Sequence, residues 1–234
     1  MSRMDFGTPW NSDDFKRGLR LGLLLPRLYV ILDAGLIRGR VQVVARQLLD
    51  AGVPLLQYRG KNIGAREMLE TASWLTAAAH EHRATLLVND RPDVAWLAGA
   101  DGVHVGQDDL DVEQARALVG KERWVGVSTH NLEQFEKAAG TSADYIAIGP
   151  IFETNSKANP DPVVGTEMIR RVRRSTKKPI VAIGGIRLDR AAEVIEAGAD
   201  SVAVISDIVG AGDPAKKAEQ FLERLGAVKR AGKH

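Results

Sequence analysis

The chain contains no cysteine in 234 residues. Disulfide staples and thiolate catalysis are thereby excluded, and the composition fits a reducing compartment. Long apolar runs are lacking as well. The stretch LGLLL, Leu21 to Leu25, is too short for a signal-peptide core or a membrane span, and Pro26 follows it. Nor is there an excess of one charge: 32 basic residues face 30 acidic ones, and a net charge of +2 gives no field that would make nucleic acid or membrane the main partner. The basic run RRVRRSTKK, Arg170 to Lys178, reads as the solvated end of a helix, where cations favour the C-terminal dipole. These absences point to a soluble, cytoplasmic protein with small-molecule partners and no nucleic-acid or membrane partner. They leave homo-oligomerisation open.

What is present is a core. Hydrophobic residues make up 44% of the chain, ample for a packed domain. Residues 1–26 read as an N-terminal extension, with Ser12 as the N-cap of one helix. After Pro26, short β-rich apolar runs alternate with helical periodicity. The runs are LYVILD (28–33), PLLQYR (54–59), TLLVND (85–90), GVHVG (102–106), WVGVST (124–129), YIAIGP (145–150), PIVAIGG (179–185) and SVAVIS (201–206). Between them, patterns such as Val41, Val44, Ala45, Leu48 and Leu49 set apolar residues on one helical face. Gly52, Gly99 and Gly198 stand where helices should end in the left-handed conformation. The phrase Ala-Gly-Ala-Asp precedes a strand twice, at 98–101 and 197–200, and hints at a repeated unit.

Eight β-then-α units predict an α/β chain folded as a closed (β/α)8 TIM barrel over residues 27–228, with a short tail at 229–234. A doubly wound sheet would call for a glycine-rich phosphate loop after the first strand, and none follows LYVILD. A parallel barrel concentrates function at the C-terminal ends of its strands.

Those ends are polar. The second strand leads into Gln57, Tyr58, Arg59, Gly60 and Lys61; a period of two puts Gln57, Arg59 and, if the strand continues, Lys61 on one face and turns Tyr58 toward the helices. Two cations there call for an anion, such as a phosphate-bearing ligand. The third strand stops on Asn89 and Asp90, and Asp108 and Asp109 lie just beyond the fourth. Neighbouring strands lie about 5 Å apart, so one carboxylate from each can reach a common cation, and oxygen donors suit Mg²⁺ better than Zn²⁺. The fifth strand supplies Ser128, Thr129 and His130, of which His130 reads as a structural or capping residue; His104 reads as a hydrogen-bonded residue inside the barrel. Thr154, Asn155, Ser156 and Lys157 form a second anion-binding loop, and Gly184-Gly185 with Ile205-Ser206 stand at strands seven and eight, where such barrels often hold phosphate.

Taken together, QYRGK, VND, GVHVGQDDL, GVSTH, GPIFETNSK, AIGGI and AVIS closely resemble the thiamine phosphate synthase family from about Leu28 to the final helix. The resemblance implies a barrel that joins a hydroxymethylpyrimidine diphosphate to a thiazole phosphate, releasing diphosphate. It places Gln57, Tyr58, Arg59, Gly60, Lys61, Asn89, Ser128 and Lys157 around the pyrimidine diphosphate, with Arg59, Lys61, Ser128 and Lys157 as the catalytic set. It makes Asp90 and Asp109 the Mg²⁺ ligands and gives the thiazole phosphate to Thr154, Asn155, Ser156, Gly185, Ile205 and Ser206. Ser156 stands where the family often has threonine, and Glu153 where a small residue or proline is common. Phe152-Glu153-Thr154 is also similar to the related thiazole tautomerases, which use a histidine at the position of His130 but typically lack the paired carboxylates. A tautomerase, or a non-catalytic sensor of thiazole phosphate, is the alternative reading.

Overall fold

The computed structural model of the protein describes residues 25–154 and 161–228. The expected helix cap at Ser12 lies outside them, as do Asn155, Ser156 and Lys157. Eight parallel strands close into a barrel in sequence order: β1 Leu28–Asp33, β2 Leu55–Arg59, β3 Thr85–Asn89, β4 Gly102–Val105, β5 Trp124–Thr129, β6 Tyr145–Ile148, β7 Ile180–Ile183 and β8 Ser201–Val204, with β8 returning to β1. All eight lie within the runs picked out by composition. The runs at 28–33 and 124–129 coincide with their strands, and the other six exceed theirs by one to three residues.

Among the described residues the helices are α1 Val41–Asp50, α2 Ala65–Glu81, α3 Pro92–Leu97, α4 Val112–Val119, α5 Leu132–Ala139, α6 Gly165–Arg173, α7 Ala191–Glu196, α8 Ser206–Val209 and α9 Pro214–Gly226. Helix α1 buries Val41, Ala45, Leu48 and Leu49, the expected stripe without Val44. Gly52, Gly99 and Gly198 take positive φ, as expected.

Both faces of the barrel wall are covered, so a strand such as LYVILD is buried at all six positions. Leu28, Val30 and Leu32 point out to the helix layer, while Tyr29 and Ile31 join Leu25, Leu55, Leu87, Trp124, Tyr145, Ala147, Val181 and Ala203 in a second core inside the barrel. Toward the C-terminal rim the inward positions turn polar: Asp33, Gln57, Asn89 and His104 are all buried. The change of character along one inward row positions the site.

At the opposite end, three aspartates latch the wall. Asp101, Asp144 and Asp200 accept from the backbone N–H of Leu86, Val125 and Ile180 at 2.9, 2.7 and 2.9 Å, each the residue near the start of the previous strand. The backbone N–H of each aspartate donates to the carbonyl of that same residue. A basic side chain from the helix that precedes each latched strand pairs with the aspartate: His80, Arg116 and Arg173. This explains why Ala-Gly-Ala-Asp recurs. It also corrects the reading of the basic run, since Arg173 is engaged by Asp200 and by the carbonyls of Thr176 and Lys178 rather than solvated; Arg170 and Arg171 are exposed as expected.

Candidate active site

The rim is built from strand ends that register across the barrel. Asp33 pairs with Arg59 along the β1–β2 ladder, and the Arg59 guanidinium donates to the Asp33 carboxylate, whose other oxygen accepts from Gly35 N–H at 2.9 Å. The expected need of Arg59 for an outside anion is therefore partly met by the protein itself. Lys61 lies beyond the end of β2 with its side chain mostly exposed, yet its ammonium reaches 3.8 Å from Asp90 Oδ2. Tyr58 packs into the outer core, so anything it gives a ligand comes from its backbone.

Asp90 follows β3 in a left-handed conformation, φ +63°, anchored by its N–H on the His104 carbonyl at 2.8 Å. The turn aims its carboxyl at Asp109 from the loop after β4. Burial, then hydrogen bonding to and repulsion from Asp109, push the Asp90 carboxyl up to about 6 against the pull of Lys61 and Arg59. Asp109 Oδ2 accepts from Gly106 N–H at 2.8 Å, which fixes the second carboxylate. The pair thus meets across adjacent strands, as the sequence predicts for Asp90 and Asp109. Asp108 is exposed. Among the described residues no group of three or more His, Cys, Asp or Glu side chains gathers as a metal cage. Two carboxylates with room for further oxygen donors fit a hard divalent ion that keeps waters or ligand phosphate in its shell.

Two adjoining hollows open at this rim and share Ser128, Ile183, Ala203 and Ile205. One contains Gln57, Arg59, Asn89 and His104; the other contains His130, Thr154, Asp161, Gly185 and Ser206. Of the hydroxyl pair on β5, Ser128 faces the hollows, whereas Thr129 is buried and donates to the Ala147 carbonyl at 2.8 Å. Gln107 donates its amide to the Ser128 carbonyl at 2.6 Å, tying the β4 and β5 ends together. His130 Nδ1 is 2.7 Å from the Gly149 carbonyl oxygen and 3.4 Å from Asp161, a tethered side chain beside the second hollow. The glycine pair is required by the protein's own loop: a Cβ on Gly184 would meet Pro150 at 2.5 Å, and one on Gly185 would meet the Glu153 carbonyl at 2.3 Å. Arg190 stacks over Phe152 at 3.5 Å and holds the same loop from outside.

Sequence reasoning missed Asp33, Gln107 and Asp161. Asp33 was within reach, because the alternation that turns Tyr29 and Ile31 inward carries Asp33 to the same rim. Gln107 and Asp161 sit in loops, where periodicity carries no signal.

A closed parallel barrel with charged strand ends around a two-lobed mouth defines an enzyme-type (β/α)8 scaffold with its site at the C-terminal rim. Residues 28–208 match the family model for thiamine monophosphate synthase. A thiamine-phosphate synthase of Koribacter versatilis is 52% identical over 209 residues, covering 87% of this chain and 98% of that protein. One from Chloroflexus aurantiacus is 45% identical, with coverage of 83% and 90%. The structure of a thiamine phosphate pyrophosphorylase from Pyrococcus furiosus superposes with a TM-score of 0.79 at 37% identity, covering 86% of this chain and 96% of that one. The chain belongs to the thiamine monophosphate synthase family.

Proposed function

We propose that this rim is the active site of a thiamine phosphate synthase, a transferase that joins a hydroxymethylpyrimidine diphosphate to a thiazole phosphate. The observation that carries the site assignment is the Asp90–Asp109 contact, with Arg59 and Lys61 beside it. Gln57, Arg59, Lys61, Asn89 and Ser128, with the backbone of Tyr58 and Gly60 and with Lys157, take the pyrimidine diphosphate. Thr154, Asn155, Ser156, Gly185, Ile205 and Ser206 take the thiazole phosphate. Asp90 and Asp109 would hold Mg²⁺, which when bound supplies positive charge to a departing diphosphate.

The chemistry is a dissociative substitution. The C–O bond between the ring methylene and diphosphate breaks, diphosphate leaves with the electron pair, and the aminopyrimidine delocalises the cation. The thiazole nitrogen then donates its lone pair to form the C–N bond. That nitrogen carries no proton, so no general base is needed, and the cations Arg59 and Lys61 beside the carboxylate pair support charge stabilisation as the main contribution. Arg59, Lys61 and Lys157 hold the leaving group, Ser128 and Gln57 orient the ring, and the shared wall of Ile183 and Ile205 sets the two substrates side by side. The absence of cysteine supports a cytoplasmic setting. Among the described residues no helix is long and apolar enough to cross a membrane.

The test is a coupled assay with both substrates and Mg²⁺, detecting thiamine phosphate. Arg59→Ala and Asp109→Ala should each lower kcat by about 100- to 1,000-fold. Wild-type turnover by either variant would refute the mechanism. Conversion of a thiazole substrate alone, without metal, would favour the tautomerase instead.

A further inference from the structure

Strand β5 gives up a side chain at Gly126, where an added Cβ would lie 2.0 Å from Tyr145 Cζ. The vacated space admits the Tyr145 phenol from β6 into the barrel. Its ring stacks on His104 at 5.5 Å and 23°, and meets Tyr29 edge-on at 6.2 Å. Its hydroxyl lies 3.1 Å from the Tyr29 hydroxyl and 2.8 Å from His104 Nδ1. Each end of this chain reaches a group that lines the first hollow: the Gln57 amide donates to the Tyr29 oxygen, and His104 Nε2 is 2.8 Å from Ser128 Oγ.

The chain runs in one direction. An amide nitrogen has protons to give and no lone pair to offer, so Gln57 is the donor to Tyr29. Each phenol has a single proton, and burial keeps both phenols neutral. The Tyr29 proton cannot go to Gln57 nitrogen, so it goes to the Tyr145 oxygen. The Tyr145 proton then goes to His104 Nδ1. With Nδ1 accepting, a neutral imidazole carries its proton on Nε2 and donates to Ser128 Oγ. The Ser128 proton is left for the hollow, as is the Gln57 carbonyl oxygen.

We propose that this one-way chain fixes His104 as the Nε2–H tautomer and so presents Ser128 as a hydrogen-bond donor and Gln57 as an acceptor, making Tyr145 and His104 positioning residues for a heteroaromatic ligand with an acceptor atom facing Ser128. The role in binding rests on the assignment of this hollow to the pyrimidine; the tautomer does not.

The test uses the full chain labelled with ¹⁵N in the histidine rings, with His104 assigned through His104→Asn. Wild type should show a single Nε2–H form at His104. Tyr29→Phe should leave that form in place, because Tyr145 can still donate to Nδ1. Tyr145→Phe, which keeps the ring and removes the donor, should give a mixture of tautomers. It should also raise KM for the pyrimidine diphosphate about tenfold, the effect of one lost oriented hydrogen bond, and leave KM for the thiazole phosphate unchanged. An Nδ1–H form in wild type, or an equal disturbance by the two Tyr→Phe variants, would overturn the proposal. Failure of the wild type to make thiamine phosphate would instead defeat the functional reading, while the tautomer measurement on the same sample still decides the chain.

Discussion

The Asp33 carboxylate grips the Arg59 guanidinium across the seam between the first two strands, and both side chains are largely withdrawn from solvent. Arg59 is thereby aimed before any ligand arrives. Asp33→Asn keeps an oxygen for the Gly35 N–H but releases the guanidinium. The expected result is a fall of about 10- to 100-fold in kcat/KM for the pyrimidine diphosphate, the scale of a misplaced catalytic group, with KM for the thiazole phosphate unchanged. Steady-state kinetics with each substrate varied in turn decides it.

If Asp90 and Asp109 hold the proposed Mg²⁺, its binding should be sensitive to pH. Asp90 is raised from 3.8 to about 6, first by burial and then by Asp109. In that window the folded chain holds a proton that the unfolded chain has released, so this site's contribution to stability falls as pH rises through about 6. A divalent ion competes for the same oxygens and must displace the proton. The increase in Tm on adding Mg²⁺ should therefore be larger at about pH 7.5 than at about pH 5. Asp109→Asn should abolish most of the difference. An equal Mg²⁺ effect at both pH values would show that the pair does not bind the ion.

Gly185 has φ +65°, and a Cβ there would collide with the Glu153 carbonyl. Gly185→Ala should cost about 1–3 kcal/mol through backbone strain and loop displacement, read by urea denaturation. It should also raise KM for the thiazole phosphate more than for its partner, since the displaced segment carries Thr154.

The latch at the far end of the barrel predicts a loss of stability with chemistry intact. Asp200→Ala leaves Ile180 N–H without its side-chain acceptor and Arg173 without its carboxylate. A loss of about 2–3 kcal/mol is expected, with kcat per folded molecule unchanged. A matching fall in kcat would mean that the two ends of the barrel communicate.

The internal repeat shows where reading the chain stops. Ala-Gly-Ala-Asp at 98–101 and 197–200 is visible as letters, and both aspartates form the same latch. The third copy, Ser142-Ala143-Asp144, does the same work with only its last two residues in common. Its membership is a matter of position under β5, which a string comparison does not carry.

Strand number, order and inward face were determined by the sequence itself, because a parallel strand buried on both sides needs a short β-rich run, and alternation by two then assigns each residue a side. The polar endings at Asn89, Asp90, Asp109 and Ser128 were equally plain, since apolar runs seldom stop on such groups without a use for them. Strand order already set Asp90 and Asp109 at adjacent strand ends, but only the tertiary structure turns the two carboxyls together. Closure of the barrel also brings Asp33 to Arg59 and Tyr145 into the gap at Gly126. Contacts of that kind depend on ring geometry and on loop conformations such as the left-handed turn at Asp90, neither of which is written in the spacing of residues along one strand.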